Sequence, residues 1–123
     1  MKILVVEDEI LIQKSIIMLL KKRGVDADGS SSGKEAIDLI INNNFDRILC
    51  DLMLKDITGF EIIEESKKKY TTKEIQNKFI IMTAYSSDNI LEQASRYGCY
   101  IIKKPFNNIN QVINYLINGK NNE

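Results

Sequence analysis

Ile3-Leu4-Val5-Val6-Glu7-Asp8-Glu9 decides the fold: four apolar residues with no polar interruption, then three acids. A strand buried on one face alternates apolar with polar, whereas a strand covered on both faces reads as an unbroken apolar run. The same signature recurs at Ile48-Leu49-Cys50, Phe79-Ile80-Ile81-Met82 and Tyr100-Ile101-Ile102, with a weaker fifth at Val25-Asp26-Ala27. Between the runs the spacing turns helical. Ile12, Ile16, Leu19 and Leu20 stand at i, i+4, i+7 and i+8, and Gly24 follows as a stop. Ser32 with Glu35 predicts a capping box ahead of Ala36, Ile37, Ile40 and Ile41, and Thr58 with Glu61 a second ahead of Phe60, Ile62 and Ile63. Ser87 or Asp88 caps a helix carrying Ile90, Leu91 and Ala94. Ile109, Val112, Ile113, Leu116 and Ile117 make the cleanest amphipathic pattern, with Gly119 just beyond. Tyr70 to Lys78 reads as a polar connection with room for one extra helical turn.

Strand and helix thus alternate five times. Parallel strands need crossovers, and helices supply them. The prediction is an α/β fold, a five-stranded parallel sheet in a doubly wound three-layer sandwich. The 123 residues suit one domain, since domains typically run to ~100–150. We place that domain at residues 1–119 and a polar, fraying tail at 120–123.

Composition narrows the function. Seventeen basic residues balance seventeen acidic ones, which argues against direct nucleic-acid or membrane-surface binding. With no histidine, a His-based triad, a His general base and a His-ligated zinc site are excluded. Cys50 and Cys99 alone cannot form a CxxC pair or a four-cysteine zinc cage, and read as buried free thiols of a cytoplasmic protein. No apolar stretch approaches the ~20 residues that span a bilayer.

In open α/β sheets, ligands sit beyond the carboxyl ends of the strands. Glu7, Asp8 and Glu9 follow the first run, Asp51 ends the third, Thr83 follows the fourth, and Lys103-Lys104-Pro105 follow the fifth. Each has a plainer reading alone, as a helix cap, an acidic first turn, a β-former or a solvated lysine. Together on one rim they point to chemistry. Two like charges 4 Å apart cost ~4 kcal/mol at an effective dielectric of ~20, so the acids need a counterion. Hard oxygen ligands with free positions suit Mg2+, with Mn2+ as a substitute. Carboxylate, divalent ion, hydroxyl and lysine together make a phosphoryl-transfer site.

The motifs ILVVEDE at 3–9, ILCDLMLKDITG at 48–59, IIMTAY at 80–85 and KKPF at 103–106 resemble the response-regulator receiver domain, the CheY-like phosphoacceptor module of two-component signalling. The resemblance covers essentially the whole chain and implies a flavodoxin-like (βα)5 topology. It implies that Asp51 is the phosphorylated aspartate. Asp8 and Asp51 would be direct metal ligands, with the Met53 backbone carbonyl as the third and Glu7 acting through water. Thr83 would be the switch hydroxyl and Lys104 the lysine that pairs with the phosphoryl group, with the bond to Pro105 cis. Three departures stand out. Lys55 replaces a common proline. Ile101 occupies the usual switch-aromatic position while Tyr100, a candidate output aromatic, sits one earlier. Tyr97-Gly98-Cys99 does not align cleanly with the usual Gly-Ala pair.

The resulting expectation is a phosphorylation-controlled switch, not an enzyme in its own right, that assists its own Mg2+-dependent phosphorylation and dephosphorylation. The donor would be a sensor histidine kinase or a phosphotransfer protein. With no effector domain following, output would be by binding, through the fourth helix, fifth strand and fifth helix. Tyr97, Tyr100, Lys103, Asn107 and Asn108 are the contact candidates. A flavodoxin-like flavin carrier would need a Ser/Thr/Gly-rich phosphate loop where Glu7-Asp8-Glu9 stands. A haloacid-dehalogenase-type phosphatase would need DxD there. The remaining alternative is a receiver-like interaction module that is never phosphorylated.

Overall fold

The computed structural model of the chain describes residues 1–84 and 87–119; Tyr85, Ser86 and the tail at 120–123 lie outside the described residues. The elements run β1 (Lys2–Val6), α1 (Ile10–Lys22), β2 (Asp26–Ser30), α2 (Gly33–Asn42), β3 (Arg47–Asp51), α3 (Gly59–Ser66), α4 (Thr72–Lys78), β4 (Phe79–Thr83), α5 (Asp88–Arg96), β5 (Tyr100–Lys103) and α6 (Ile109–Asn118). The strands form one parallel sheet in the order β2-β1-β3-β4-β5.

The unbroken apolar runs are explained by two cores. Leu4, Val6, Ile48, Cys50, Phe79 and Ile81 pack on one face with Ala36, Ile40, Ile62, Ile63 and Ala94 of α2, α3 and α5. Ile3, Val5, Leu49, Ile80 and Met82 pack on the other with Ile16, Leu20, Val112, Ile113 and Leu116 of α1 and α6. Burying one such side chain contributes roughly 1.5–3 kcal/mol, so a run alternating between two covered faces is held as strand along its whole length. The doubly wound three-layer sandwich is as expected.

Two local expectations are revised. Ser32 Oγ accepts from the Glu35 N–H, but the Glu35 carboxylate turns to the Ser30 hydroxyl at 2.9 Å, so only half of that box forms. Likewise Thr58 Oγ1 accepts from the Glu61 N–H as a simple cap. The full capping box lies in the supposed connection: Glu74 N–H donates to Thr71 Oγ1 at 3.2 Å and Thr71 N–H to Glu74 Oε1 at 3.0 Å. It starts α4, a seven-residue helix where one turn was allowed for. The segment around α4 also closes the end of α2, because Lys69 Nζ donates to the Ile40 and Asn43 carbonyls and Lys78 Nζ to that of Phe45. Ser87 caps α5. Cys50 and Cys99 are buried thiols, and burial pushes the Cys50 thiol up. Among the described residues no helix is long and apolar enough to cross a membrane.

Candidate functional site

Parallel strands end together, and the pairings Val6 with Cys50, Asp51 with Met82 and Thr83 with Lys103 keep β1, β3, β4 and β5 level. Glu7 leaves β1, Asp51 closes β3, Thr83 closes β4 and Lys104 leaves β5. Four elements distant in sequence therefore present their chemistry on one rim. The ladder continues through Lys104 N–H to the Thr83 carbonyl at 2.8 Å and Leu52 N–H to that of Met82 at 3.1 Å.

Alternation of side chains along a strand sorts the rim residues by face. Glu7, Asp51 and Lys104 continue the alternation of Val5, Leu49 and Ile102, the side of α1 and α6. Thr83 continues that of Ile81, the side of α5. On β5 the pairing with β4 is unbroken from Tyr100 to Lys103, with no bulge. Ile101 consequently lies on Thr83's side, while Tyr100 stacks on Tyr115 of α6 with ring centroids 4.0 Å apart.

Lys104 organises the acids. Its ammonium lies 2.7 Å from Glu7 Oε1 and 3.0 Å from Asp51 Oδ2, with Glu9 Oε1 at 3.7 Å. The second Asp51 oxygen accepts from the Met53 N–H at 3.1 Å, and the second Glu7 oxygen from the Glu9 N–H at 3.1 Å. Asp51 is 5% exposed and Glu7 not at all, so neither charge is dispersed by bulk water. Burial raises the Glu7 carboxyl above the usual range, outweighing the bonds from Lys104 and Glu9 that pull it down. Burial opposes the charge on Lys104 too, but its bonds to Glu7 and Asp51 prevail and hold it above the ordinary lysine value.

Glu7, Asp8 and Asp51 each offer an oxygen, all within 4.8 Å of one another. Three carboxylates against the one Lys104 ammonium leave two negative charges, the complement of a divalent cation, and an all-oxygen donor set suits Mg2+. Met53, two residues past Asp51, is tied to it through its amide and paired across the loop with Thr58. Thr83 is 1% exposed. The Lys104–Pro105 peptide is cis.

Sequence reasoning missed the groups that hold these residues. Gln13 Nε2 donates to the Glu7 carbonyl at 2.9 Å, and Glu7 N–H donates to the Ser30 carbonyl. Asp56 bonds to the start of α2, 22 to 24 positions back. None of these pairs carries a local spacing signal.

Fold and rim together define a flavodoxin-like α/β module with an acidic site at its strand ends, the architecture of signalling receivers. The family model described as "Response regulator receiver domain" matches residues 3–116, and the chain belongs to that family. It is 36% identical over 107 residues to "Response regulator ArlR" of Staphylococcus saprophyticus, covering 85% of this chain and 46% of that protein. Among solved structures it resembles the receiver domain of the Francisella response regulator 1452, at TM-score 0.80 and 28% identity over 94% of this chain and 93% of that one. It also resembles the Thermotoga maritima response regulator TrrA in complex with Mg2+-BeF, at TM-score 0.73 and 28% identity over 94% and 97% of the two chains. The chain spans about half the length of the curated relatives it matches.

Proposed function

We propose that residues 1–119 are a phosphorylation-controlled switch whose acceptor is Asp51. The observation that carries this is the Lys104 ammonium bridging Glu7 and Asp51 at 2.7 and 3.0 Å, with Asp8 in the same cluster. An Asp carboxylate with one oxygen on a lysine and the other on a backbone N–H is pre-positioned, and positioning with charge neutralisation is most of phosphoryl-transfer catalysis.

A phosphohistidine of a sensor kinase or phosphotransfer protein is the donor. An Asp51 oxygen attacks phosphorus in line; the O–P bond forms as the N–P bond to the donor imidazole breaks, and that imidazole leaves neutral after taking a proton from solvent. Asp8, Asp51 and the Met53 carbonyl would hold Mg2+, with Glu7 behind a water. Bound there, Mg2+ supplies charge neutralisation for the phosphoryl oxygens. Lys104 shifts its hydrogen bond from the carboxylate to a phosphoryl oxygen, and the Thr83 hydroxyl donates to another. The product is a mixed anhydride that water cleaves, so the signal is self-limiting.

Drawing Thr83 inward displaces Ala84 and the start of α5 and exposes a new binding surface on α5, β5 and α6, the fourth helix, fifth strand and fifth helix of the sequence pattern, which lacks α4. Tyr100, Lys103, Asn107 and Asn108 border that face, whereas Tyr97 turns to α3, where its ring stacks on Phe60 and its hydroxyl donates to Glu64. The face reading of β5 makes Ile101 the residue on Thr83's side, so the switch operates through an aliphatic side chain. The location is cytoplasmic, where such donors act. A module that is never phosphorylated would have no use for all three acids, the hydroxyl and the lysine together.

The test is incubation with acetyl phosphate and Mg2+, then borohydride trapping and mass spectrometry. Label is expected at residue 51, absent from Asp51→Asn, and greatly reduced in Asp8→Asn or in excess EDTA. Label elsewhere, with Asp51 unmodified, refutes the assignment.

A further inference from the structure

The loop joining β3 to α3 carries Met53 and has lysine at position 55 where a ring would have stiffened it. Its base is closed locally. Gly59 N–H donates to the Leu52 carbonyl at 2.8 Å, and Met53 bridges Thr58. Gly59 has to be glycine there, because a Cβ would come within 2.8 Å of the Asp51 carbonyl. The tip of the loop is held differently. It leans on another element, the N-terminus of α2, where Asp56 Oδ1 accepts from the Gly33 N–H at 2.9 Å. Asp56 Oδ2 accepts from the Lys34 N–H and the Ser32 hydroxyl, each at 3.0 Å. Beside it Ile57 fills the space where a Cβ on Gly33 would stand.

We propose that Asp56 is a positioning residue for the cation site: its three bonds to α2 fix the loop that presents Met53 to Asp51 and Asp8. The inference rests on the reading of Asp51 and Asp8 given above. An N-terminal helix turn offers free N–H groups and a positive dipole end, so a carboxylate lodged there is held firmly. Lys34 and Gly33 N–H accordingly keep the Asp56 carboxyl well below the usual carboxylate range. The tether reaches the site from a second side as well. Ser30, whose carbonyl accepts from the Glu7 N–H, bonds through its hydroxyl to the Ser32 carbonyl at 2.8 Å, so the α2 cap joins both the Glu7 and the Met53 ends of the acidic cluster. A ligand on a loop is only as well placed as the groups that hold it. Removing such groups typically weakens metal binding 10–100-fold.

The experiment is an NMR titration of the full chain with MgCl2, following the Asp8 and Met53 amides, with melting temperature measured alongside. Asp56→Ala is expected to weaken Mg2+ binding about tenfold, and to speed hydrogen exchange at residues 53–58. Asp56→Asn, which keeps one acceptor oxygen, should fall between it and wild type and covers the case in which the alanine variant does not fold. Thr71→Ala removes the α4 cap and touches none of the bonds to Asp56, so it should lower the melting temperature with Mg2+ affinity retained. Unchanged affinity in Asp56→Ala, with only a lower melting temperature, means that Asp56 is merely a cap and overturns the proposal. Equal loss of affinity in Thr71→Ala overturns it too, since general destabilisation would then suffice. A wild-type chain that binds no Mg2+ defeats the site reading itself, an outcome distinct from either.

Discussion

Lys104 Nζ lies 2.7 Å from Glu7 Oε1, an ion pair joining the end of the last strand to the end of the first, with side chains 9% and 0% exposed. Breaking a buried pair by deleting one partner leaves an uncompensated charge and costs about 3 kcal/mol or more. Lys104→Ala should therefore unfold at lower denaturant than wild type. The Glu7→Gln/Asp51→Asn/Lys104→Met triple variant, which removes all three buried charges of this cluster, should recover much of the loss. Equal stability of Lys104→Ala and wild type in urea would remove the energetic role assigned to the pair.

Thr83 and Lys104 close adjacent strands but face opposite sides of the sheet, so their deletions should act differently. Thr83→Ala keeps the charge pair and should still bind beryllofluoride, with amide shifts confined to the rim. Lys104→Ala loses a charge-assisted contact and should respond still less. In wild type the shifts should spread through the described residues between 84 and 106. Equally wide spread in both variants would contradict the proposed relay.

Acid should loosen the α2 tether in a defined window. Asp56 has its carboxyl lowered by the Lys34 and Gly33 N–H groups from an ordinary value of 3.8. The unfolded chain then binds the proton more readily than the folded one, so the stability contributed by this group is complete above that value and drains away as pH falls below it. Asp56→Asn should flatten the fall of stability with pH below about 4. A slope equal to that of wild type would assign acid sensitivity to other carboxylates.

Met53 is 41% exposed two residues past Asp51, a position that the resemblance to receiver domains implies lies beside the approach of an attacking water. Its thioether cannot orient a water, so the Asp51 phosphate should be long-lived. Met53→Asn supplies a polar amide and should shorten the half-life of label on the isolated protein in Mg2+. The resemblance to receiver domains implies that the residue two beyond Thr83, Tyr85, flanks the same approach; it lies outside the described residues, and Tyr85→Glu tests it in the same assay. Unchanged or slower decay in both variants means that these residues do not set the rate.

What the sequence made legible follows from burial. β1, β3 and β4 announce themselves because consecutive residues, such as Ile48 and Leu49, enter opposite cores. β2 is an edge strand reading Asp-Ala-Asp-Gly-Ser, with Ala27 and Ser30 its buried members, so the apolar signal fades and the run Val25-Asp26-Ala27 marks only its start. Helix α4 buries Ile75 alone, which leaves no periodicity; its one local sign is the Thr71/Glu74 box. The gathering of Glu7, Asp8, Asp51 and Lys104 was legible because strand ends are places the chain itself marks. Asp56 was not, since its partners at 32–34 become neighbours only once the sheet has formed.

Glu7, Asp51, Thr83 and Lys104 come from the ends of four different strands. No fragment shorter than nearly the whole chain contains them all, and no partly assembled sheet brings them level. On the proposed reading, a nascent or half-melted molecule in which these strand ends are not level has no competent pocket. Authority to signal then belongs only to chains that have completed the sheet, and the site certifies the integrity of the fold that bears it.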